Sequence, residues 1–287
     1  MSTGIAGRLL SRLRSLDGVA VAFSGGVDSA LVLAAALRAL PARRVLAVIA
    51  DSPSLARAEL EAAREFAAGL GAELAEVPVA ELAVPGYRAN AGDRCYFCKQ
   101  TVLGAVGELA ARRGLAHVAT GTHADDHRAL HRPGLRAARE LHVIEPLADA
   151  GLGKRDVRAL AAEWSLTVAD KASTPCLASR ISVGVPVTLR RLGLVERAEI
   201  AVGARLAGAG VHPRDLRVRL LGEGFRVELD PAASAAVAAR PGLGEAVLAA
   251  LDDVGLTGLG EVAVYRAPAL APPPRSGRPV SPKCPPG

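Results

Sequence analysis

Aromatic residues are scarce: four Phe, three Tyr and one Trp, 3% of the chain. Few ring faces remain on which single-stranded bases stack, so a nucleic-acid role has little support. Acidic residues are missing from Pro268 onward, where Arg275, Arg278 and Lys283 contribute +3 of the formal +6, and the body is only mildly basic. No apolar stretch reaches the roughly 18 residues needed to span a bilayer, because Arg, Glu and Asp break each one. Met1–Arg14 lacks an apolar core with a small-residue cleavage site, so it does not read as a signal peptide, and a cytoplasmic protein is expected. The four cysteines of such a chain are expected to be catalytic or metal-binding rather than disulfide-forming. The Gly-Lys-Ser/Thr ending of the Walker loop is also absent, which argues against a Walker-type kinase or GTPase.

What is present begins with Ser24-Gly25-Gly26-Val27-Asp28-Ser29, placed between the apolar run Val19–Phe23 and a helix-prone run from Ala30 to Leu37. A strand, a glycine-rich turn and a helix N-terminus in that order make an anion site. Gly25 and Gly26 let the backbone approach the anion, and Ser24 and Ser29 add hydroxyl donors. Asp28 is a poor phosphate neighbour unless a cation lies between them, which argues for Mg²⁺. The turn resembles the pyrophosphate loop of PP-loop ATPases, which split ATP into AMP and pyrophosphate and adenylate a substrate.

Short apolar runs then alternate with helical periodicity. Strands are expected at Val45–Ala50, Glu73–Pro78 and Ala116–Thr120, and helices near Arg57–Leu70, Lys99–Arg113 and Leu152–Trp164. This alternation indicates an α/β fold, a doubly wound parallel sheet covered on both faces. Ligands of such sheets lie beyond the carboxyl ends of the strands. The Ser24 turn, Asp51-Ser52-Pro53-Ser54 and Gly121-Thr122-His123-Ala124-Asp125-Asp126 all fall there. After Val185 the character changes: a helix Thr188–Leu206 capped by Thr188, paired strands Leu216–Leu220 and Phe225–Leu229, helices Pro231–Ala239 and Gly244–Leu251, and a strand Val262–Tyr265. We therefore expect a nucleotide domain over 1–184, a smaller α/β domain over 185–266, and a disordered Pro-rich tail over 267–287.

Two further clusters carry chemistry: Arg94-Cys95-Tyr96-Phe97-Cys98-Lys99 and Ser173-Thr174-Pro175-Cys176-Leu177-Ala178-Ser179-Arg180. The CxxC pair is compatible with structural zinc, completed by Cys176 and one of His117, His123 or His127. It is also compatible with an iron–sulfur site of Cys95, Cys98 and Cys176, or with inert buried thiols. A redox dithiol is disfavoured because no thioredoxin-like setting surrounds it. Arg180, Arg217 and Arg219 are candidates to fork onto phosphate or carboxylate, the last two sharing one strand face. Asp125 and Asp126 suit either a metal or ribose contact or a helix cap.

Taken in order, Ser24–Ser29, Asp51–Ser54, Arg94–Lys99, Gly121–Asp126, Arg132–Ala138 and Pro175–Arg180 resemble the LarE family, ATP-dependent sulfur transferases that help make the nickel-pincer nucleotide of lactate racemase. The likeness spans about residues 5–230, and Pro-Cys-Leu-Ala-Ser-Arg is its most discriminating piece. It implies a PP-loop (adenine nucleotide alpha hydrolase-like) domain followed by a small α/β domain, with ATP and Mg²⁺ as cofactors. The implied reaction adenylates the carboxylates of pyridinium-3,5-dicarboxylate mononucleotide, and sulfur then replaces AMP. Two sulfur sources occur in the family. Either Cys176 attacks and gives up its own sulfur, becoming dehydroalanine, or three cysteines hold a [4Fe-4S] cluster carrying an extra sulfide; the trio Cys95, Cys98 and Cys176 matches the second.

By the same likeness Ser24, Gly25, Gly26, Asp28, Ser29, Asp51, Gly121 and Thr122 bind ATP, with Asp28 and Asp125 on the metal. Cys176, Asp28 and Arg180 are catalytic, and Arg217, Arg219 and Glu199 contact the substrate. Lys154 and Arg158 resemble a Lys-x-x-x-Arg helix near many PP-loop sites. The likeness further implies a homo-oligomer, a small nucleotide substrate, no membrane, and hand-off to a nickel-inserting enzyme. A tRNA-thiolating PP-loop enzyme is the alternative; mild charge and few aromatics count against it. The chain departs from the family at His123, often Asn there, and at its C-terminal Gly258–Tyr265. Cys284 is expected to be a bystander.

Overall fold

Val19 to Ala22 is apolar on both faces because the strand it forms is covered on both. In the computed structural model, which describes residues 2–128 and 133–265, the first sheet has four parallel strands: β1 (Val19–Ala22), β2 (Val45–Asp51), β3 (Glu73–Pro78) and β4 (His117–Ala119), in the order β3-β2-β1-β4. The helices joining and flanking them are α1 (Ser2–Arg14), α2 (Val27–Ala39), α3 (Arg57–Gly69), α4 (Pro85–Ala89), α5 (Arg94–Arg112), α6 (Pro133–Glu140), α7 (Pro146–Asp149) and α8 (Lys154–Glu163). Alternate strand residues serve the two faces. Val19, Val21, Ala47 and Ile49 pack with α1, α2, α3 and α8, whereas Ala20, Leu46 and Val48 pack with Val106 and Ala110 of α5.

Two boundaries differ from expectation in a way that matters. Helix α2 begins at Val27, inside the glycine-rich turn, with Gly26 as its N-cap. Helix α5 begins at Arg94 rather than Lys99, so Cys95 lies in its first turn and Cys98 at the start of its second. Helix α1 was not anticipated; Leu9 and Leu13 on it are fully buried in the first core.

The rest of the chain forms α9 (Leu189–Gly208), β5 (Leu216–Leu220), β6 (Phe225–Leu229), α10 (Pro231–Ala238), α11 (Leu243–Asp253) and β7 (Gly260–Val264). Thr188 caps α9, its hydroxyl accepting from Arg191 N at 3.2 Å. Strands β5 and β6 pair antiparallel and β6 and β7 parallel, a mixed second sheet. Its core joins Leu192, Val195, Val202, Val218 and Val227 to Tyr87, Leu177, Ala178 and Ile181. The segment after Cys176 is thereby rooted in the second core. No helix among the described residues is long and apolar enough to cross a membrane. Arg132, the tail over 267–287 and Cys284 lie outside the described residues.

Candidate active site

The Ser24–Ser29 turn closes on itself. Ser29 Oγ accepts from Ser24 N at 3.1 Å and donates to the Gly26 carbonyl at 3.1 Å. Gly25 has φ +71°, a left-handed backbone that glycine adopts without strain. The first N–H groups of α2 have no partner within the helix, so they and the helix dipole make the space in front of the turn favourable for an anion. The approach of the Gly121–Asp126 turn is equally tight: a Cβ on Gly121 would stand 2.6 Å from Ser29 N and 2.8 Å from the Asp28 carbonyl carbon. Thr122 lies buried beside it, its hydroxyl 3.1 Å from that of Thr120.

Asp28 is gripped by Lys154, whose Nζ donates to both carboxylate oxygens at 2.6 and 2.8 Å. Asp125, expected on the metal, is engaged with the start of α8. Its Oδ2 accepts from Lys154 N at 2.7 Å and caps α8 from outside, and that backbone N–H holds the carboxyl below its usual range. Asp126 accepts from His123 N at 3.1 Å. Asp51 pairs with Arg57 at 2.7 Å, both half-exposed. Arg158 pins the chain ahead of Cys176, donating to the carbonyls of Ala169 and Lys171 at 2.9 and 3.0 Å. Lys171 escaped the sequence reading. Its Nζ reaches the Gly25 carbonyl at 3.3 Å and Glu59 at 2.7 Å, a contact across 146 residues with no local signal.

The three cysteines are neighbours. Burial pushes the Cys98 thiol from 9.0 up to about 12, and the charges of Cys176, Glu81 and Cys95 push the same way while Lys99 opposes them. Cys176 is exposed on one side, yet the chain crowding around it raises its thiol, against the pull of Arg94. Lys99 lies among Cys98, Glu145, Asp126 and Cys95; burial lowers its ammonium, and the carboxylates of Glu145 and Asp126 pull the other way. As arranged, no three His, Cys, Asp or Glu side chains among the described residues form a set that could hold a metal ion. The thiols thus share a neighbourhood without the convergence a cluster requires, and the expected set of Cys95, Cys98 and Cys176 does not fit one as it stands.

Arg180 differs from its expected role as a fork on substrate. Its side chain is 3% exposed and engaged internally, with Nε 2.9 Å from Glu199 Oε1 and further bonds to Pro175 O, Cys176 O and Ser179 Oγ. Glu199 Oε1 also accepts from Val218 N at 3.1 Å, so the pair ties α9 and β5 to the Cys176 segment. Arg217 stacks on Tyr265, 3.9 Å from the ring centre, and its Nη2 points to Ser173 O at 3.4 Å. Arg219 pairs with buried Glu228 at 2.7 Å and donates to Ser179 O at 3.2 Å. Both arginines thus reach carbonyls flanking Cys176, as alternation along β5 requires.

The geometry pairs a nucleotide-type turn with a thiol-bearing segment, and comparison with known proteins agrees. A family described as NAD synthase matches residues 9–106. An uncharacterised protein of Synechocystis is 38% identical over 216 residues, 75% of this chain and 78% of that protein. The pyridinium-3,5-bisthiocarboxylic acid mononucleotide synthase of Lactiplantibacillus plantarum is 35% identical over 191 residues, 67% of this chain and 69% of that protein. An uncharacterised protein of Methanocaldococcus jannaschii is 26% identical over 199 residues, 69% of this chain and 74% of that protein. A PP-loop ATPase scaffold carrying a LarE-type Pro-Cys-Leu-Ala-Ser-Arg segment follows from all of this, and the chain belongs to the LarE family of sulfur transferases.

Proposed function

We propose that this protein adenylates a carboxylate of pyridinium-3,5-dicarboxylate mononucleotide with ATP and replaces the AMP by sulfur, on the route to the nickel-pincer nucleotide of lactate racemase. The observation that carries the reading is the placement of Cys176 on a segment whose neighbours, through Lys171 and Gly25, touch the pyrophosphate turn itself. Backbone N–H groups of α2 and the hydroxyls of Ser24 and Ser29 receive the β- and γ-phosphates, with Gly121 and Thr122 beside them and Asp51 at the rim. Asp28 suits Mg²⁺, which commonly takes one or two carboxylates and completes its shell from substrate phosphates and water. When bound, that ion neutralises charge on the departing pyrophosphate. Lys154, freed from Asp28, is then within the same crevice as a cation for the phosphates.

In the second step the Cys176 sulfur attacks the acyl carbon, the thiol proton leaves to a base, and the acyl–oxygen bond to AMP breaks. Loss of the Cys176 α-proton with cleavage of its Cβ–S bond releases the thiocarboxylate and leaves dehydroalanine. Arg217 and Arg219, on the strand facing this segment, are the cations for the substrate's phosphate and second carboxylate. Cys95 and Cys98 lie beside Cys176, but the three thiols do not converge on a common point, so the geometry supports Cys176 itself as the sulfur donor. Pyrophosphate release with MgATP and the dicarboxylate mononucleotide tests the adenylation, and Asp28→Ala is expected to abolish it. Mass spectrometry of the Cys176 peptide after turnover decides the sulfur source. Loss of H₂S supports the reading, and an unchanged Cys176 after many product molecules refutes Cys176 as the sulfur donor.

A further inference from the structure

Glu81 is fully buried between β3 and α4. Packing alone asks for an apolar side chain at such a place, since a buried carboxyl costs stability unless its oxygens are bonded. Glu81 Oε2 has no hydrogen-bond partner among the described residues. Oε1 accepts from one group, the hydroxyl of Ser52. That hydroxyl in turn accepts from Ser54 N at 2.9 Å, which sets the shape of the turn Asp51–Ser54 at the carboxyl end of β2. Ser54 then reaches in two directions. Its hydroxyl bonds to that of Tyr87, which is 1% exposed. Its carbonyl accepts from Leu177 N at 2.8 Å, and Leu177 is the residue after Cys176. The helix bearing Tyr87 ends at Asn90, whose side-chain amide donates to Ser182 O and Val185 O at 2.8 and 2.9 Å. The same short helix thus holds the chain after the Arg180 turn directly, through Asn90, and the chain before it by way of Ser54.

We propose that Glu81 and Tyr87 are positioning residues: they hold the Ser52–Ser54 turn so that its Ser54 carbonyl fixes the Cys176 segment relative to the nucleotide side of the sheet. The inference rests on the sulfur-transfer reading, for it makes the turn at the end of β2 the gauge between the adenylate and the thiol. Asp51 keeps its own anchor, Arg57 at 2.7 Å, and the Ser24–Ser29 turn is untouched. Loosening Ser52 and Ser54 therefore spares adenylation but lets Cys176 drift from the acyl carbon, where a displacement of about 1 Å is enough to cost about 100-fold in rate. Water then hydrolyses the adenylate instead.

The test compares Tyr87→Phe, Glu81→Leu and Glu81→Gln by hydrogen exchange at the Leu177 amide. The first two remove one bond of the chain each, and exchange at Leu177 is expected to quicken about tenfold. Glu81→Gln keeps an oxygen for Ser52 and is expected to exchange like the wild type. The Phe23 amide, bonded to Val48 O at 2.8 Å, reports global opening and should not move. With MgATP and the dicarboxylate mononucleotide, pyrophosphate release should stay near wild type in Tyr87→Phe while thio product per pyrophosphate falls about tenfold or more. Unchanged exchange at Leu177 in both Tyr87→Phe and Glu81→Leu overturns the proposal, as does faster exchange with an unaltered product ratio. If Glu81→Leu does not fold, Ser54→Ala removes the Tyr87 bond without adding bulk and carries the same expectations. A wild type that releases no pyrophosphate sinks the sulfur-transfer reading alone, because the Leu177 exchange still decides the tie.

Discussion

Replacing Glu199 by Leu separates two uses of Arg180, as a contact for substrate and as a brace for the thiol segment. In the folded protein the guanidinium is 3% exposed and the Glu199 side chain 18%, and Nε and Oε1 are 2.9 Å apart. The pair is therefore largely shielded from water, and removing one partner leaves a buried charge without a counter-charge. Breaking such a pair costs about 3–5 kcal/mol. The lost acceptor for Val218 N adds to the same deficit, not in full, because the groups are coupled. About 4 kcal/mol in a chain of this size lowers the midpoint of thermal unfolding by about 8–16 °C. Glu199→Gln keeps the shape and the Val218 bond and should fall by less. The double variant Arg180→Met with Glu199→Leu removes both charges and should recover most of the stability, to within about 1–2 kcal/mol of wild type. Urea unfolding of the four proteins measures the cycle. A Glu199→Leu protein within about 1 kcal/mol of wild type refutes the brace; so does a double variant no more stable than that single one. Sulfur transfer should stay impaired in the recovered double variant, because the bonds from Arg180 to Pro175 O and Cys176 O are gone.

Two more expectations follow from the charges around the turn and the thiols. Lys154→Met should cost at most about 1 kcal/mol in unfolding, since Lys154 and Asp28 are 38% and 29% exposed and well screened. Pyrophosphate release should nevertheless fall about 100-fold if Lys154 steadies the phosphates, and release within about threefold of wild type would remove it from the mechanism. The raised Cys98 thiol makes stability depend on alkaline pH: the unfolded chain gives up that proton near 9.0, whereas the folded one holds it to about 12. Its stabilising contribution is complete below pH 9.0 and declines as the pH rises towards 12. Unfolding free energies across that range should show a shallower decline in Cys98→Ala, with the remainder due to Cys176 and Tyr87, which burial also raises. An identical slope in the variant contradicts the burial of Cys98.

Much of the nucleotide half was legible in the chain because its signals are local. An apolar strand, two glycines and an anion-facing helix start lie within about a dozen consecutive residues, and periodicity alone separates the strands from the helices. The paired strands Leu216–Leu220 and Phe225–Leu229 appear where their alternation puts them. The start of α5 was missed because no capping residue with a side-chain bond marks it, and α1 because its burial depends on α2.

Partnership was another matter. Asp125 and Asp28 look alike in sequence, yet one caps α8 and the other holds Lys154, 126 residues away. Arg180 reads as a substrate fork until Glu199 on α9 is seen to occupy it. Glu81 and Tyr87 carry no motif at all, and their role emerges when the turn after β2 meets Leu177. The chain by itself determined the kind of chemistry: a phosphate-binding turn, three thiols and a set of arginines. Tertiary structure decided which of these groups remain available to a ligand, because a charge or hydroxyl is committed by whatever distant partner folding brings within about 3 Å of it.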